Sequence, residues 1–425
     1  MVWIYWLLGT TCYFYQFVFR TIFGTLGDDV SSKFQMSITD LSTFFAAGML
    51  AYPLMQIPAG ILLDKYGARK MLTAAIGCLS VGILLLSMTT SFPLAICGRI
   101  LMGVGSAFCF IGTSKIVTVW FPLKMMGFLL GTTVFLGGMG AAFSKHLYDA
   151  LPSHWGFDTS LLVMGLFGIV LAFMIGTLLR EKKNASVGAA GNIPTKQTTF
   201  IQDLRFILSN KQILYAALFT FFGYLPISAI ADSWGPIAFQ NMFGVSKEIA
   251  DKTVLYFYIP FAIGSLFYSS LTTTVSKIRY VLMFEFSFAS LFLYLLLNTN
   301  LGFETFFGVP GFLILTGLLG FNLGGVALAF PIGCSHASNQ ISGTIVGVMN
   351  MFCMVSGGLF SKLMGHFLHF YWDGSLTQEG LPIFSGAAYK SSLQPLILTT
   401  VLSVLLLLII RSGKEDEDAE AVPAK

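Results

Sequence analysis

Long apolar runs decide what this chain can fold into. They lie at roughly 3–26, 41–63, 71–91, 94–120, 124–148 and 160–180, and again at roughly 211–233, 251–274, 280–298, 306–331, 340–366 and 391–411. A helix of about 20 apolar residues, rising about 1.5 Å per residue, crosses the hydrocarbon core of a bilayer. Only 10% of the residues are charged and the mean hydropathy is +0.78. A soluble domain carries about 25% charged residues, so this chain has too few to cover a surface in water. The expected fold is an all-α polytopic membrane protein with 12 transmembrane helices.

Polar segments divide the runs into two sets of six. Residues 1–180 form an expected N-terminal six-helix bundle, 181–210 a Gly/Ala/Pro-containing linker, 211–411 a second six-helix bundle and 412–425 an acidic, unfolded tail. With the N-terminus inside, fifteen of the 24 Lys and Arg fall in inner segments, among them Lys65, Arg69, Lys70, Lys124 and Arg180, against five in outer ones. The positive-inside rule then puts both termini and the linker in the cytoplasm of a bacterial-type inner membrane. The first apolar run has no basic leader before it and reads as a permanent span. The six cysteines show no CxxC spacing and read as small buried hydrophobes. No basic patch interleaved with aromatics points to nucleic acid.

The halves resemble each other. Gly103 in "GRILMGVGSA" corresponds to Gly320 in "LTGLLGFNLG" at an offset of 217, and Gly127/Gly131 to Gly343/Gly347 at an offset of 216. Small residues four apart let helices approach closely in lipid, so their recurrence points to a pseudo-symmetric six-plus-six repeat, an arrangement common among secondary transporters.

The turn between the second and third runs, "PAGILLDKYGARKML" at 58–72, concentrates charge. Gly60 permits close helix contact, Asp64 can accept from orphan helix N–H groups or pair with a base, and Gly67 supplies the turn ahead of Arg69. The pattern Gly60, Asp64, Lys65, Gly67, Arg69 resembles the signature loop of the major facilitator superfamily (MFS), departing from it at Ala68. The resemblance implies the MFS fold, alternating access by two six-helix bundles around a central site, and a gating role for Gly60, Asp64, Gly67 and Arg69 as a latch of the outward-open state. "CGRILMGVGSA" with Arg99 likewise resembles a fourth-helix motif associated with proton coupling. The fifth run, "GTTVFLGGMGAAF", has the glycines but not the Gly-Pro of antiporters. The matching second-half loop, "SSLTTTVSKIRYV", keeps Lys277 and Arg279 but lacks the acid and the glycines.

Polar groups inside spans are the site candidates, because a charge there costs several kcal/mol without a partner or a cavity. Gly9, Tyr13, Gln16, Arg20 and Gly24 share one face of the first run. Its phenol, amide and guanidinium suit a carboxylate or phosphate, which Arg20 can grip bidentately. An arginine in this helix also resembles the organic-anion branches of the family. The alternative is that Arg20 snorkels to the outer surface. Lys115 is a candidate for substrate contact or gating and Arg99 for coupling; about 160° of helix rotation separates them. Asn322 and Asn350 are candidate substrate ligands, or bridges between helices. Asp232 can carry a proton or pair across an outer gate, or lie at the interface as an ordinary acid. Glu285 is expected to pair near Arg279. His366 and His369 read as part of an aromatic belt beside "FYWD" before they read as a metal site.

No clustered catalytic set lies in the spans, so the chain is not expected to be an enzyme and needs no cofactor. The expected function is secondary active transport of a small anionic or zwitterionic metabolite such as an amino acid, organic acid or nucleoside. Proton-driven import is the expected mode, with the lipid bilayer as surroundings and the chain acting as a monomer. The other reading kept open is a proton-coupled exporter of amphiphilic compounds or of a siderophore.

Overall fold

The computed structural model describes residues 1–25, 27–36, 38–122, 125–150, 152–181, 200–272, 275–298, 308–376 and 383–411. The expected acidic tail, most of the expected linker and Lys124 lie outside these residues. The described part is helical throughout apart from short connections.

The helices corresponding to the apolar runs are α1 (Val2–Thr25), α2 (Ile38–Tyr66), α3 (Ala68–Met88), α4 (Phe92–Trp120), α5 (Met126–Ala150) and α6 (Pro152–Leu178). In the second half they are α7 (Lys211–Ile227, continued by a π-helical turn Ser228–Ser233), α8 (Lys247–Leu271) and α9 (Val275–Asn298). Then come α10 (Gly308–Phe321, a 3₁₀ segment Gly324–Leu328, and Ala329–Ser335), α11 (Ser342–Phe370) and α12 (Gly386–Leu393 with Pro395–Ile409). Shorter helices, Gly27–Phe34, Phe200–Ser209 and Gly235–Phe243, lie between them. The linker therefore ends in a helix, whose Phe206 and Leu208 side chains are exposed.

Among the described residues, ten helices are long and apolar enough to cross a membrane. α1 and α5 complete the twelve. α5 holds a shorter apolar stretch, Met126–Ala141, and α1 runs for 24 residues. Exposed Leu54, Phe167, Phe173, Phe284, Tyr294 and Leu408 give the helices the apolar outer surface that lipid requires.

Two compact units divide the chain: Met1–Asn210 with Ala337–Met351, and Lys211–His336 with Phe352–Lys425. In the first, α4 packs on α2 and α3, α3 on α6, and α1 on α5. In the second, α10 packs on α8 and α9, and α9 on α12. The pairs α2/α4 and α8/α10 are equivalent under the repeat, and each is closed by the glycine that the repeat singles out. A Cβ on Gly103 would lie 2.7 Å from the Gly48 carbonyl oxygen of α2, and one on Gly320 would overlap the Phe257 carbonyl oxygen of α8. Gly103 and Gly320 are thus packing devices in equivalent places.

Candidate functional site

At the α2–α3 turn, Gly67 has φ of +85°, which glycine adopts without strain. Its bare Cα faces the Glu181 carboxylate, which accepts from Arg69 N at 2.9 Å, while Arg69 Nε donates to Gly176 O at 2.7 Å. Arg69 thus ties the turn to the end of α6. Glu181 has no sequence pattern of its own that would single it out.

Asp64 turns the other way. Its carboxylate accepts from Lys115 Nζ at 2.6 Å, Gly343 N at 3.0 Å, and Thr344 N and Thr344 Oγ1 at 2.7 Å each. Gly343 and Thr344 open α11, so the carboxylate caps a helix N-terminus whose dipole favours negative charge. Lys115 Nζ also donates to Gln340 O at 3.0 Å and Ser342 Oγ at 3.3 Å. Both partners are nearly buried, with side chains 9% (Lys115) and 11% (Asp64) exposed. Lys115 is therefore engaged with Asp64 and the start of α11.

Gly60 makes this contact possible. A Cβ there would lie 2.5 Å from Gly343 O and 2.9 Å from Thr344 Cα, and one on Gly347 would lie 2.6 Å from Gln56 O. Gly60→Ala is expected to force α2 off α11 at a cost of about 1–3 kcal/mol, the usual range for overpacking a tight core. Thermal unfolding of the purified protein in detergent reads this; an unchanged midpoint would refute the close-contact role.

A second set of polar groups in the first unit lies on α1, α2 and α11. Tyr13 is buried, its ring 4.8 Å from Phe17 and 5.3 Å from Phe110. Gln16, one helical turn on, is fully buried, and neither its amide nitrogen nor its oxygen has a hydrogen-bond partner. Arg20, a further turn on, is exposed, its guanidinium lying over the rings of Phe17 at 5.2 Å and Tyr52 at 5.5 Å. Tyr52 interacts in turn with Gln56 and Asn350, and Asn350 Nδ2 donates to Gln56 Oε1 at 2.8 Å. Gln56 Nε2 and Ser114 Oγ are buried without a partner. Arg20 and Asn350 thus gain Tyr52 and Gln56 as polar neighbours in the unit. Tyr52 and Gln56, missed in the sequence, lie four residues apart on one face of α2, and that spacing is the signal that could have found them.

Arg99 is buried elsewhere in the unit. Its guanidinium lies over Phe23 at 4.6 Å and Phe44 at 5.1 Å, and its Nε faces Phe44 O at 3.5 Å. Among the described residues no carboxylate forms an ion pair with it.

In the second unit, Asp232 lies on the π-helical turn that extends α7 beyond Pro226. It is exposed, and its two oxygens accept from the hydroxyls of Tyr224, at 3.0 Å, and Tyr258. π-helical turns are frequent at functional sites because they re-aim a side chain. Asn322 accepts from Tyr268 OH at 2.7 Å and donates to Leu318 O, joining α10 to α8. Glu285 does not pair with Arg279 as expected. Arg279 bonds Ile410 O and Tyr280 OH at the N-terminal end of α9, whereas Glu285 is fully buried against the 3₁₀ segment of α10. His369 packs edge-on to Trp372 and Phe384.

The profile of the Major Facilitator Superfamily matches residues 9–361. The chain belongs to this superfamily. The "Probable galactarate/D-glucarate transporter GarP" of Escherichia coli K12 is 33% identical over 162 residues, 36% of each chain. The "Hexuronate transporter" of Bacillus subtilis is 23% identical over 220 residues, 52% of each chain. The "Probable L-galactonate transporter" of Escherichia coli K12 is 24% identical over 244 residues, 56% of this chain and 53% of that protein. The matches thus span between about a third and about half of these relatives. Among solved structures, the Escherichia coli fucose:proton symporter FucP superposes with a TM-score of 0.71 at 14% identity, covering 96% of this chain and 98% of that one. The proton:xylose symporter XylE gives 0.67 at 11%, covering 99% and 98%. These likenesses establish the twelve-helix fold.

Proposed function

We propose that the chain imports a small organic anion, of the sugar-acid type, by proton-coupled alternating access in a bacterial-type inner membrane, with both termini inside. The observation that carries the reading is Arg20: an exposed guanidinium braced on two aromatic rings, one and two turns along from the orphaned amide of Gln16 and the buried phenol of Tyr13. A guanidinium fork meets a carboxylate with two parallel hydrogen bonds, and amides and phenols nearby meet hydroxyl groups. The relatives named for galactarate, glucarate, hexuronate and galactonate support the same class, all of these being hydroxylated carboxylates. Asp232, with two phenols donating to it on a π-helical turn, is the acid that would carry the coupling proton.

Purified protein in liposomes, given an inward proton gradient and a pool of labelled aldarates, aldonates and hexuronates, tests this. Accumulation of at least one of them that collapses on adding a protonophore is expected. Asp232→Asn should abolish accumulation while leaving exchange of that anion across the membrane. Extrusion of a lipophilic dye with no anion uptake would overturn the reading.

A further inference from the structure

Glu285 is fully buried, in α9, and no Lys, Arg or His among the described residues forms an ion pair with it. Its Oε1 accepts from Gly325 N, and its Oε2 is buried without a partner. In an unbroken α-helix Gly325 N would donate to the carbonyl of Phe321, four residues back. α10 is instead broken here. Leu323 N donates to Gly320 O at 3.1 Å and Val326 N to Leu323 O at 3.4 Å, the tighter i→i+3 pattern. The carboxyl of α9 has taken over the acceptor role that the helix gives up. Glycine is required at the contact, since a Cβ on Gly325 would overlap Glu285 Oε2.

The elements around Glu285 carry little that titrates. α12, the 3₁₀ segment and Gly308–Phe321 hold no titratable side chain, and Ala329–Ser335 holds Cys334 alone — apart from Tyr389 and Lys390 in the first part of α12. Tyr268 of α8 lies within electrostatic reach and donates to Asn322, two residues before the break. On α9 itself, Lys277 and Arg279 sit at the N-terminal end and Tyr294 is exposed. On α7, Lys211 and Tyr215 lie at the N-terminal end, and Tyr224 donates to Asp232. An ionised carboxylate with an uncompensated oxygen in such surroundings is far costlier than a neutral acid.

We propose that Glu285 is a proton-binding site that controls the break in α10. The neutral acid holds Gly325 and keeps the 3₁₀ segment closed on α9. Loss of the proton from Oε2 leaves a charge that must reach water, so it requires the segment Asn322–Leu328 to part from α9. Proton binding therefore favours the closed break, and by linkage raising the pH favours the open one. This goes beyond the import reading and needs no substrate, so the two can fail separately.

Two measurements on the whole protein in nanodiscs test it. Infrared difference spectra between acid and alkaline pH should show a protonated carboxyl band that Glu285→Gln removes. Hydrogen–deuterium exchange in Asn322–Leu328, corrected for the intrinsic pH dependence, should rise at least tenfold at alkaline pH in the wild type. It should stay at its acid-pH level in Glu285→Gln, whose amide oxygen still accepts from Gly325. Should that variant not fold, the wild-type exchange profile alone decides. Exchange in the segment that does not change with pH, or a set of carboxyl bands that Glu285→Gln leaves unchanged from the wild type, overturns the proposal.

Discussion

Asp64→Ala is expected to lower the stability of the first unit by about 3–5 kcal/mol, the cost of stripping one partner from a buried ion pair, and to stop transport. The loss has two parts. Lys115 would lose its charged partner while keeping neutral acceptors such as Gln340 O and Ser342 Oγ, and the N–H groups of Gly343 and Thr344 would lose the acceptor that caps α11. Lys115→Met should cost less, about 1–3 kcal/mol, because Asp64 would still accept from Gly343 N, Thr344 N and Thr344 Oγ1. The double variant should fall short of the sum of the two. Thermal unfolding in detergent of the three variants, with uptake measured alongside, checks the order. Equal effects from the two single variants, or strict additivity, would show that the pair is not the structural centre of this contact.

Arg20→Ala carries the second large effect. Losing a charge-assisted hydrogen-bond set costs about 1.5–3 kcal/mol, which is about a 10- to 150-fold fall in the apparent affinity for an organic anion. Arg20→Lys should recover part of it, since an ammonium keeps the charge but loses the planar fork. The guanidinium is exposed in the chain, so neither variant should shift the unfolding midpoint appreciably. Uptake of the labelled anion over a concentration series separates the outcomes. Wild-type affinity in Arg20→Ala would remove the residue from the binding role, and an equal loss for an uncharged analogue would point to a packing role.

Much of the site was legible because helices repeat every 3.6 residues. The face of α1 bearing Tyr13, Gln16 and Arg20 follows from spacing alone, and Gly103 and Gly320 follow from the repeat. Glu285 went the other way. Its distance along the chain from Arg279 suggested a local pair, but the side chain reaches α10, where a missing backbone acceptor awaited it.

By itself the sequence determined the number of helices and the turn motif. These depend on local hydropathy, charge and glycine placement, which a bilayer reads segment by segment. Only the tertiary structure decided which polar groups meet. Asp64 finds Thr344, and Gln56 finds Asn350, across separations of 280 and 294 residues. No periodicity records such pairs, because buried polar groups must find hydrogen-bond partners wherever helix packing brings them. The partners of Asp64 and the orphaned amide of Gln16 are therefore properties of the folded unit.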